Sequence, residues 1–242
     1  MNKAIVMGVG PELGLGAQLC KRFAGMGLHV FLAGRTEESL ATLAANIVEE
    51  GGTATPVVAD ATDEDQVKTL FQLADTESSG SLELAIYNTG NNTPGRIVDM
   101  QADYFERSWR VCCFGGFLFA REAIQRMQKQ ASGTLLFTGA SASLRGRPNF
   151  GAFNAAKAAL RTLAQAMAKE YAAEGIHVGH VVIDGPIGGE KIMQRYPEYA
   201  EEKGKEGMID LAGIVDAYEF LFRQKPRAWS FEVDLRTSRE NW

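Results

Sequence analysis

The sequence has few of the residues on which disulfide-rich, metal-binding and nucleic-acid-binding proteins depend. Its 242 residues include three cysteines and three histidines, and a bridge between the neighbours Cys112 and Cys113 would be strained. We therefore expect reduced thiols in a cytoplasmic protein. The net charge of −5 argues against a nucleic-acid partner, which requires clustered positive charge. The short "RGR" at 145–147 is expected to lie in a solvated loop.

Long apolar runs are also missing. The longest, "VCCFGGFLFA" at 111–120, is too short to span a membrane, and the first residues show no basic and apolar signal-peptide pattern. We expect neither a membrane partner nor export. His177 and His180 are three positions apart on a predicted strand, so they point to opposite faces and make a poor metal pair. No metal site is predicted.

Short apolar runs alternate with amphipathic helical patterns along the whole chain. The first pair is "AIVMGV" and "GLGAQLCKRFAGMG", and the last apolar run is "WSFEVDL". Because no two-residue hairpin turn joins the runs, the alternation predicts an α/β fold. We expect a Rossmann-type, doubly wound parallel sheet of about seven strands with helices on both faces, in one domain over residues 1–242. The irregular segment 185–208 is expected to be a loop that covers a site.

Glycines are concentrated at the first strand-to-helix junction, "MGVGPELGLGAQL" at 7–19. Gly10, Gly14 and Gly16 would allow a tight turn and the close approach of a pyrophosphate to a helix N-terminus. The literal G-x-G-x-x-G spacing is absent. The strand–turn–helix context nevertheless predicts a dinucleotide phosphate site.

The residues after the second strand indicate which dinucleotide is bound. In this fold an acidic side chain about 20 positions beyond the glycines binds the ribose 2′-hydroxyl. Here the stretch "AGRT" provides Arg35 and Thr36 instead. A cation and a hydroxyl suit a 2′-phosphate, so NADP(H) is the preferred cofactor and NAD(H) the alternative.

Further motifs follow in a fixed order: "GPELGLG" after the first strand, Arg35 after the second, Asp60 at the end of the third, "NTG" (88–90) after the fourth, "FTGAS" (137–141) after the fifth, Lys157 in the next helix and "DGPI" (184–187) after the sixth. In this order and spacing the chain resembles a short-chain dehydrogenase/reductase over nearly its whole length. The resemblance implies an oxidoreductase in which Lys157 holds the nicotinamide ribose, Asp60 contacts the adenine and Ile187 meets the carboxamide. The implied cofactor contacts are Gly10, Gly14, Leu15, Gly16, Arg35, Thr36, Asp60, Ala61, Asn88, Gly90, Lys157 and Ile187.

The catalytic positions depart from the family pattern. Phe153 stands where the family has its catalytic tyrosine, four residues before Lys157, and Cys112 stands at the asparagine position. The tyrosine of the enoyl-reductase variant would fall at Phe150. The serine position falls at Ala140 or Ser141 and is assigned to Ser141, which leaves Ser141 and Lys157 as the catalytic candidates. Phenylalanine cannot protonate an alkoxide, and losing a placed acid costs roughly 10²- to 10⁴-fold in rate.

Three functions are compatible with these departures. The first is hydride transfer to or from a small organic substrate that needs little acid help, such as an activated carbonyl, an imine or a conjugated system. A proton could then come from water or from one of several side chains, namely Ser141, Ser143, Cys112, Tyr196 or Tyr199. The second is an NADP(H)-binding protein without catalysis, with a regulatory or scaffolding role.

The third function, an interaction protein without a cofactor, is disfavoured by the intact glycine turn. Cys112 is expected to be a small buried side chain in an apolar helix. By resemblance alone, the helix that contains Cys112 and the one that contains Lys157 form subunit contacts, which implies a homodimer or homotetramer.

Overall fold

Parallel strands alternate with helices along the chain, which confirms the α/β class predicted from the apolar runs. The computed structural model describes residues 1–240, without the side chain of Lys191, so residues 241–242 of the predicted domain lie outside the described part. The strands are β1 (Lys3–Met7), β2 (His29–Gly34), β3 (Thr53–Val58), β4 (Leu82–Tyr87), β5 (Gly133–Thr138), β6 (Ile176–Asp184) and β7 (Glu232–Arg236). The helices are α1 (Leu15–Gly25), α2 (Glu37–Glu49), α3 (Glu64–Glu77), α4 (Ala102–Trp109), α5 (Gly115–Gln130), α6 (Gly151–Tyr171), α7 (Glu190–Arg195), α8 (Pro197–Lys203) and α9 (Leu211–Arg223).

The seven strands form one sheet in the order β3-β2-β1-β4-β5-β6-β7, and each neighbouring pair is parallel. Burial on both faces explains why β1 and β6 are buried along their whole length. The strand order reverses between β1 and β4, and open α/β sheets bind ligands outside the carboxyl ends of the strands at such a point. A cofactor is therefore expected beyond Met7 and Tyr87, where β1 and β4 end.

The core consists of two apolar layers, one on each face of the sheet. Leu19 and Phe23 of α1 pack on one face, together with side chains of α2 and α9. Phe71 of α3, Phe119 of α5 and Leu160 of α6 pack on the other face. Each fully buried side chain of this size stabilises the fold by about 1.5–3 kcal/mol. The two layers fix α1 and α6, whose N-terminal ends reach the carboxyl edge of the sheet.

The segment 185–208 is more regular than predicted, because it contains α7 and α8. Pro197 occupies the first position of α8, where its fixed φ suits a helix and its missing N–H is not needed. The base of the segment is tied together, since the amide of Gly188 donates to the Ile209 carbonyl at 2.9 Å and the amide of Ile209 donates to the Pro186 carbonyl at 2.8 Å. The segment expected to be irregular thus contains two short helices, and its expected role in covering a site stays a prediction.

Residues 145–147 form an exposed loop, as expected, and an ion pair anchors Arg145 within it. Its guanidinium lies 2.8 and 2.9 Å from the two carboxylate oxygens of Asp184, a side chain that is almost completely buried. His177 and His180 have different partners, because His177 Nε2 lies 2.9 Å from the carbonyl oxygen of Ser230 and His180 Nδ1 lies 2.9 Å from Glu232 Oε2. Among residues 1–240, no helix combines the length and the apolar character needed to cross a membrane.

Candidate cofactor and active site

The glycine-rich turn between β1 and α1 is closely packed. Gly8 has a φ of +101°, and a Cβ at this position would lie 2.7 Å from the carbonyl carbon of Asn88. A Cβ on Gly16 would lie 2.6 Å from the carbonyl oxygen of Gly8, and one on Gly14 would lie 2.9 Å from the carbonyl oxygen of Pro11. Glycine is therefore required at these positions to bring the turn, the helix and the end of β4 together.

Gly10 differs from the other glycines of the turn, because a Cβ at this position would meet no heavy atom within 4 Å. Nearby, the first hydrogen bond of α1 runs from the amide of Gln18 to the carbonyl of Gly14 at 3.1 Å, and no side chain caps the helix. The amides of residues 15–17 thus have no partner within the helix and, together with the helix dipole, favour an anion. Leu15 itself is buried. Open space beside free amides fits a pyrophosphate.

The residues that follow β2 and β3 lie at the same edge of the sheet. Arg35 and Thr36 are exposed, so the guanidinium and the hydroxyl are accessible to a ligand. Asp60 is partly exposed, and its Oδ1 accepts from both the amide and the hydroxyl of Thr62 at 2.8 Å. Ala61 is buried beneath it. The predicted adenosine-side residues are thus together at the carboxyl ends of neighbouring strands.

Lys157 reaches from α6 to the carboxyl ends of β4 and β5. Its Nζ donates to the carbonyl oxygens of Thr89 at 3.1 Å and Thr138 at 2.8 Å, and the residue is 3% exposed. Burial lowers the pKa of Lys157, and the nearby thiol of Cys112 partly opposes this effect. Nζ also lies 5.9 Å from the centroid of the Phe153 ring. Because an ammonium has three donor hydrogens, one remains for a further acceptor beside that ring.

Asn88 and Gly90, both predicted to line the cofactor, have different surroundings. Asn88 Nδ2 donates to the carbonyl oxygen of Gly8 at 3.1 Å, and Asn88 Oδ1 accepts from the hydroxyl of Thr138 at 2.8 Å. The Asn88 amide group therefore links the glycine turn, through the Gly8 carbonyl, to Thr138 at the end of β5. Gly90 is exposed, and a Cβ there would lie 3.6 Å from Lys157 Nζ and 3.8 Å from the Phe153 ring, so the Gly90 backbone lies close to both side chains.

Cys112 is fully buried in a π-helical segment, Arg110–Phe114, that joins α4 to α5. The wide turn presents the carbonyl of Val111 to β4, where it accepts from the hydroxyls of Tyr87 at 2.6 Å and Thr89 at 3.1 Å. Single π-helical turns inside longer helices occur often at functional sites. The expectation that Cys112 is a small buried side chain is confirmed.

The other candidate proton donors differ in exposure. Ser141 begins a 3-10 turn after β5 and is partly exposed. Ser143 is buried, and its Oγ accepts from the amide of Ala140 at 3.1 Å. Tyr196 is exposed, and Tyr199 is partly exposed. Ser141 is thus the serine of this turn that remains accessible.

Ile187 belongs to a segment that touches the glycine turn. Ile187 forms an isolated parallel bridge with Ile209. Three residues later the amide of Glu190 donates to the carbonyl of Leu13 at 3.0 Å, and a Cβ on Gly189 would lie 2.6 Å from the same oxygen. The segment 185–208 therefore lies over the edge at which β1 and β4 end.

Residues 3–191 match the sequence model of the family described as short chain dehydrogenase. The chain belongs to this family. The solved structure of a short-chain dehydrogenase from Rhodopseudomonas palustris is 34% identical to it, with a TM-score of 0.83, and the match covers 97% of this chain and 98% of that one.

Two curated relatives are more distant. An uncharacterised oxidoreductase of Bacillus subtilis is 29% identical over 194 residues, which cover 79% of this chain and 28% of the relative. A chloroplastic NADPH-dependent aldehyde reductase-like protein of Arabidopsis thaliana is 28% identical over 170 residues, which cover 69% of this chain and 63% of the relative. The chain therefore spans less than two thirds of the length of either protein.

Two residues of the present chain, Thr138 and Tyr218, contribute to the site but were not identified from the sequence. The carbonyl of Thr138 accepts from Lys157, and the hydroxyl of Thr138 lies 2.6 Å from that of Tyr218 in α9. Thr138 falls inside the "FTGAS" motif and could have been identified by its position at the end of β5. Tyr218 lies in no motif, and its helical spacing predicts only burial.

Proposed function

We propose that this protein is an NADP(H)-dependent oxidoreductase that transfers hydride to or from a small organic substrate. The observation that carries the proposal is the meeting of the uncapped N-terminus of α1, the open space at Gly10 and the Lys157 ammonium at one edge of the sheet. A bound nicotinamide would supply the hydride. The protein's own groups suit such a dinucleotide. The free amides at the start of α1 would bind the pyrophosphate, and the remaining N–H of Lys157 would donate to a ribose hydroxyl.

The preference for NADP(H) rests on Arg35 and Thr36. Both are exposed beyond β2, where a guanidinium and a hydroxyl would bind a 2′-phosphate with charge-assisted hydrogen bonds. The Arabidopsis relative is an NADPH-dependent aldehyde reductase-like protein, which supports the same preference. By family resemblance Ile187 would meet the carboxamide, and its place over the carboxyl edge is compatible with that role.

The proposed substrate is an activated carbonyl, an imine or a conjugated system such as a quinone. The side chain of Phe153 has no acidic proton to transfer, and its ring lies beside the ammonium of Lys157. A protonated imine accepts hydride without leaving an alkoxide, so it needs no acid at this position. Where a proton is needed, Ser141 is the accessible hydroxyl of the turn after β5, whereas Ser143 is bound to the Ala140 amide.

A second candidate function is NADP(H) binding without turnover, in a regulatory or scaffolding role. It is favoured by the same loss of an acid at Phe153, because the contacts of Lys157 with a ribose would serve binding alone. Calorimetry with NADPH and NADH, followed by a turnover panel of iminium, quinone and simple ketone substrates, separates the two. We expect tighter NADPH binding and faster turnover of iminium or quinone substrates. Tight binding without turnover would support the second candidate, and faster turnover of simple ketones would contradict the proposed substrate class.

The proposed assembly is a homodimer or homotetramer in the cytoplasm, without nucleic-acid or membrane partners. Trp109 and Phe117 are exposed on the α4–α5 side of the fold, and exposed aromatic clusters are common at protein interfaces. Light scattering coupled to size-exclusion chromatography measures the assembly directly, and a monomer at micromolar concentration would contradict it.

A further inference from the structure

A chain of three side chains, two of them buried and the third partly buried, connects α9 to the glycine turn. Tyr218 Oη lies 2.6 Å from Thr138 Oγ1, Thr138 Oγ1 lies 2.8 Å from Asn88 Oδ1, and Asn88 Nδ2 lies 3.1 Å from the carbonyl oxygen of Gly8. Tyr218 is fully buried, and Thr138 is nearly so. This hydrogen-bonded chain therefore crosses the sheet at the ends of β5, β4 and β1, with Tyr218 and Thr138 shielded from solvent and Asn88 partly exposed.

The direction of each hydrogen bond follows from the number of hydrogens available. The Gly8 carbonyl can only accept, so the Asn88 side chain must present Nδ2 to it and Oδ1 to Thr138. Oδ1 can also only accept, so Thr138 gives its single hydroxyl hydrogen to Asn88. The hydroxyl of Tyr218 must then donate to Thr138, and burial raises the pKa of Tyr218, which keeps that hydrogen in place.

Thr138 is the branch point of this network. Its hydroxyl orients Asn88, and its carbonyl oxygen receives the ammonium of Lys157 at 2.8 Å. The other end of the chain is equally constrained, because the Gly8 oxygen held by Asn88 lies 2.6 Å from the place of a Cβ on Gly16. A small displacement of Asn88 would thus be transmitted to the first turn of α1.

We infer that Thr138 is a positioning residue. Through Asn88, its hydroxyl holds the glycine turn in the conformation that binds the cofactor, and its carbonyl fixes the position of the Lys157 ammonium relative to that turn. Tyr218 fixes the Thr138 hydroxyl and thereby couples α9, which follows the covering segment 185–208, to the same turn. The inference rests on the proposed NADP(H) site. It concerns Thr138 and Tyr218, which are not among the cofactor contacts predicted from the sequence.

The test measures the dissociation constant for NADPH by calorimetry and the melting temperature of the same samples. In Thr138→Val the Asn88 oxygen and the Tyr218 hydroxyl lose their buried partner, so we expect the dissociation constant to rise about 10- to 100-fold. Thr138→Ser keeps the hydroxyl and should restore an affinity within about twofold of wild type. Tyr218→Phe leaves the bond from Thr138 to Asn88 intact and should change the affinity less than Thr138→Val does.

A matched control separates positioning from general stability. Thr134 is also buried in β5, at the opposite end of the strand, so Thr134→Val should alter the melting temperature without changing the affinity for NADPH. The double variant Thr138→Val with Tyr218→Phe should bind no worse than Thr138→Val alone, because it removes the unpaired tyrosine hydroxyl. If Thr138→Val does not fold, Thr138→Cys, whose thiol is a weak donor, should have an affinity below that of Thr138→Ser.

The outcomes that overturn the inference are distinct from those that overturn the proposed function. The positioning role alone is contradicted if the wild-type protein binds NADPH and Thr138→Val binds it equally well. Thr138→Cys takes the place of Thr138→Val in this comparison if the latter does not fold. Equal losses of affinity in Thr138→Val and Thr134→Val would assign the effect to stability and also contradict it. Wild-type protein that binds neither NADPH nor NADH would remove the proposed function together with the inference.

Discussion

The ammonium of Lys157 lies 5.9 Å from the centroid of the Phe153 ring and is held there by two backbone carbonyls. In the alignment predicted from the sequence, Phe153 stands at the family's tyrosine position, four residues before Lys157. The ring attracts the cation through its negatively charged face but offers no hydrogen to a substrate. The pair therefore combines a bound cation with a side chain that cannot protonate an alkoxide.

Phe153→Tyr should increase the turnover of simple ketones with NADPH. A tyrosine hydroxyl beside the Lys157 ammonium would have a lowered pKa and could protonate the alkoxide. A placed acid contributes typically about 10²- to 10⁴-fold, and we expect a gain of at least about tenfold. Phe150→Tyr is the comparison variant, because it adds the same hydroxyl three residues away, at the tyrosine position of the enoyl-reductase variant; for simple ketones we expect a smaller gain than from Phe153→Tyr. Equal rates in wild type and Phe153→Tyr would mean that the substrate does not approach residue 153.

Arg35→Ala should weaken NADPH binding and leave NADH binding nearly unchanged. A bond between an exposed guanidinium and a 2′-phosphate is worth a roughly 10- to 100-fold change in the dissociation constant, whereas NADH has no group for Arg35 to bind. Arg107→Ala provides a control, since Arg107 is an exposed arginine on α4. Parallel losses of affinity for both dinucleotides, measured by calorimetry, would contradict the assignment of Arg35.

The glycines of the turn should respond differently to alanine. Gly10→Ala meets no protein atom within 4 Å, so the melting temperature should stay within about 2 °C of wild type, because a surface change is typically worth less than about 0.5 kcal/mol. The added methyl group would occupy the space assigned to the pyrophosphate, so the affinity for NADPH should fall. Gly16→Ala places its methyl group 2.6 Å from the Gly8 carbonyl oxygen and should lower both stability and affinity. A Gly10→Ala variant with wild-type affinity would contradict the placement of the cofactor.

The sheet and the glycine turn could be predicted because each depends on local patterns. Buried parallel strands are apolar along their length, and a glycine turn between strand and helix is visible in a short window of sequence. The hydrogen bond between Thr138 and Tyr218 joins residues 80 positions apart, and no local pattern indicates which buried hydroxyls will meet. For the same reason the partner of Arg145, Asp184 at the end of β6, could not be identified. The short α7 and α8 were missed because six or seven residues are too few to establish a helical period.

His180 provides a prediction about pH. Its imidazole is fully buried beside Glu232, and burial lowers its pKa from 6.5 to about 4, although the Glu232 carboxylate opposes the shift. The unfolded chain therefore binds a proton between pH 6.5 and pH 4 that the folded protein does not bind. The stabilisation associated with neutral His180 is complete above pH 6.5 and is lost as the pH falls toward 4, by on the order of 3 kcal/mol.

Urea unfolding at pH 7.5, 6.5, 5.5 and 4.5, chosen to span this window, measures the loss. The lowered pKa of Glu232, which Arg161 and His180 stabilise as a carboxylate, acts in the same direction, so the wild-type protein should be strongly acid-sensitive. His180→Gln removes the titrating imidazole, and its free energy of unfolding should depend less on pH across this window even if it is lower at pH 7.5. His177→Gln is the comparison variant. Burial also lowers the pKa of His177, but its partner is a backbone carbonyl, so His177→Gln should reduce the pH dependence less than His180→Gln does. Identical pH dependence in wild type and His180→Gln would show that His180 is not the group whose protonation unfolds the protein.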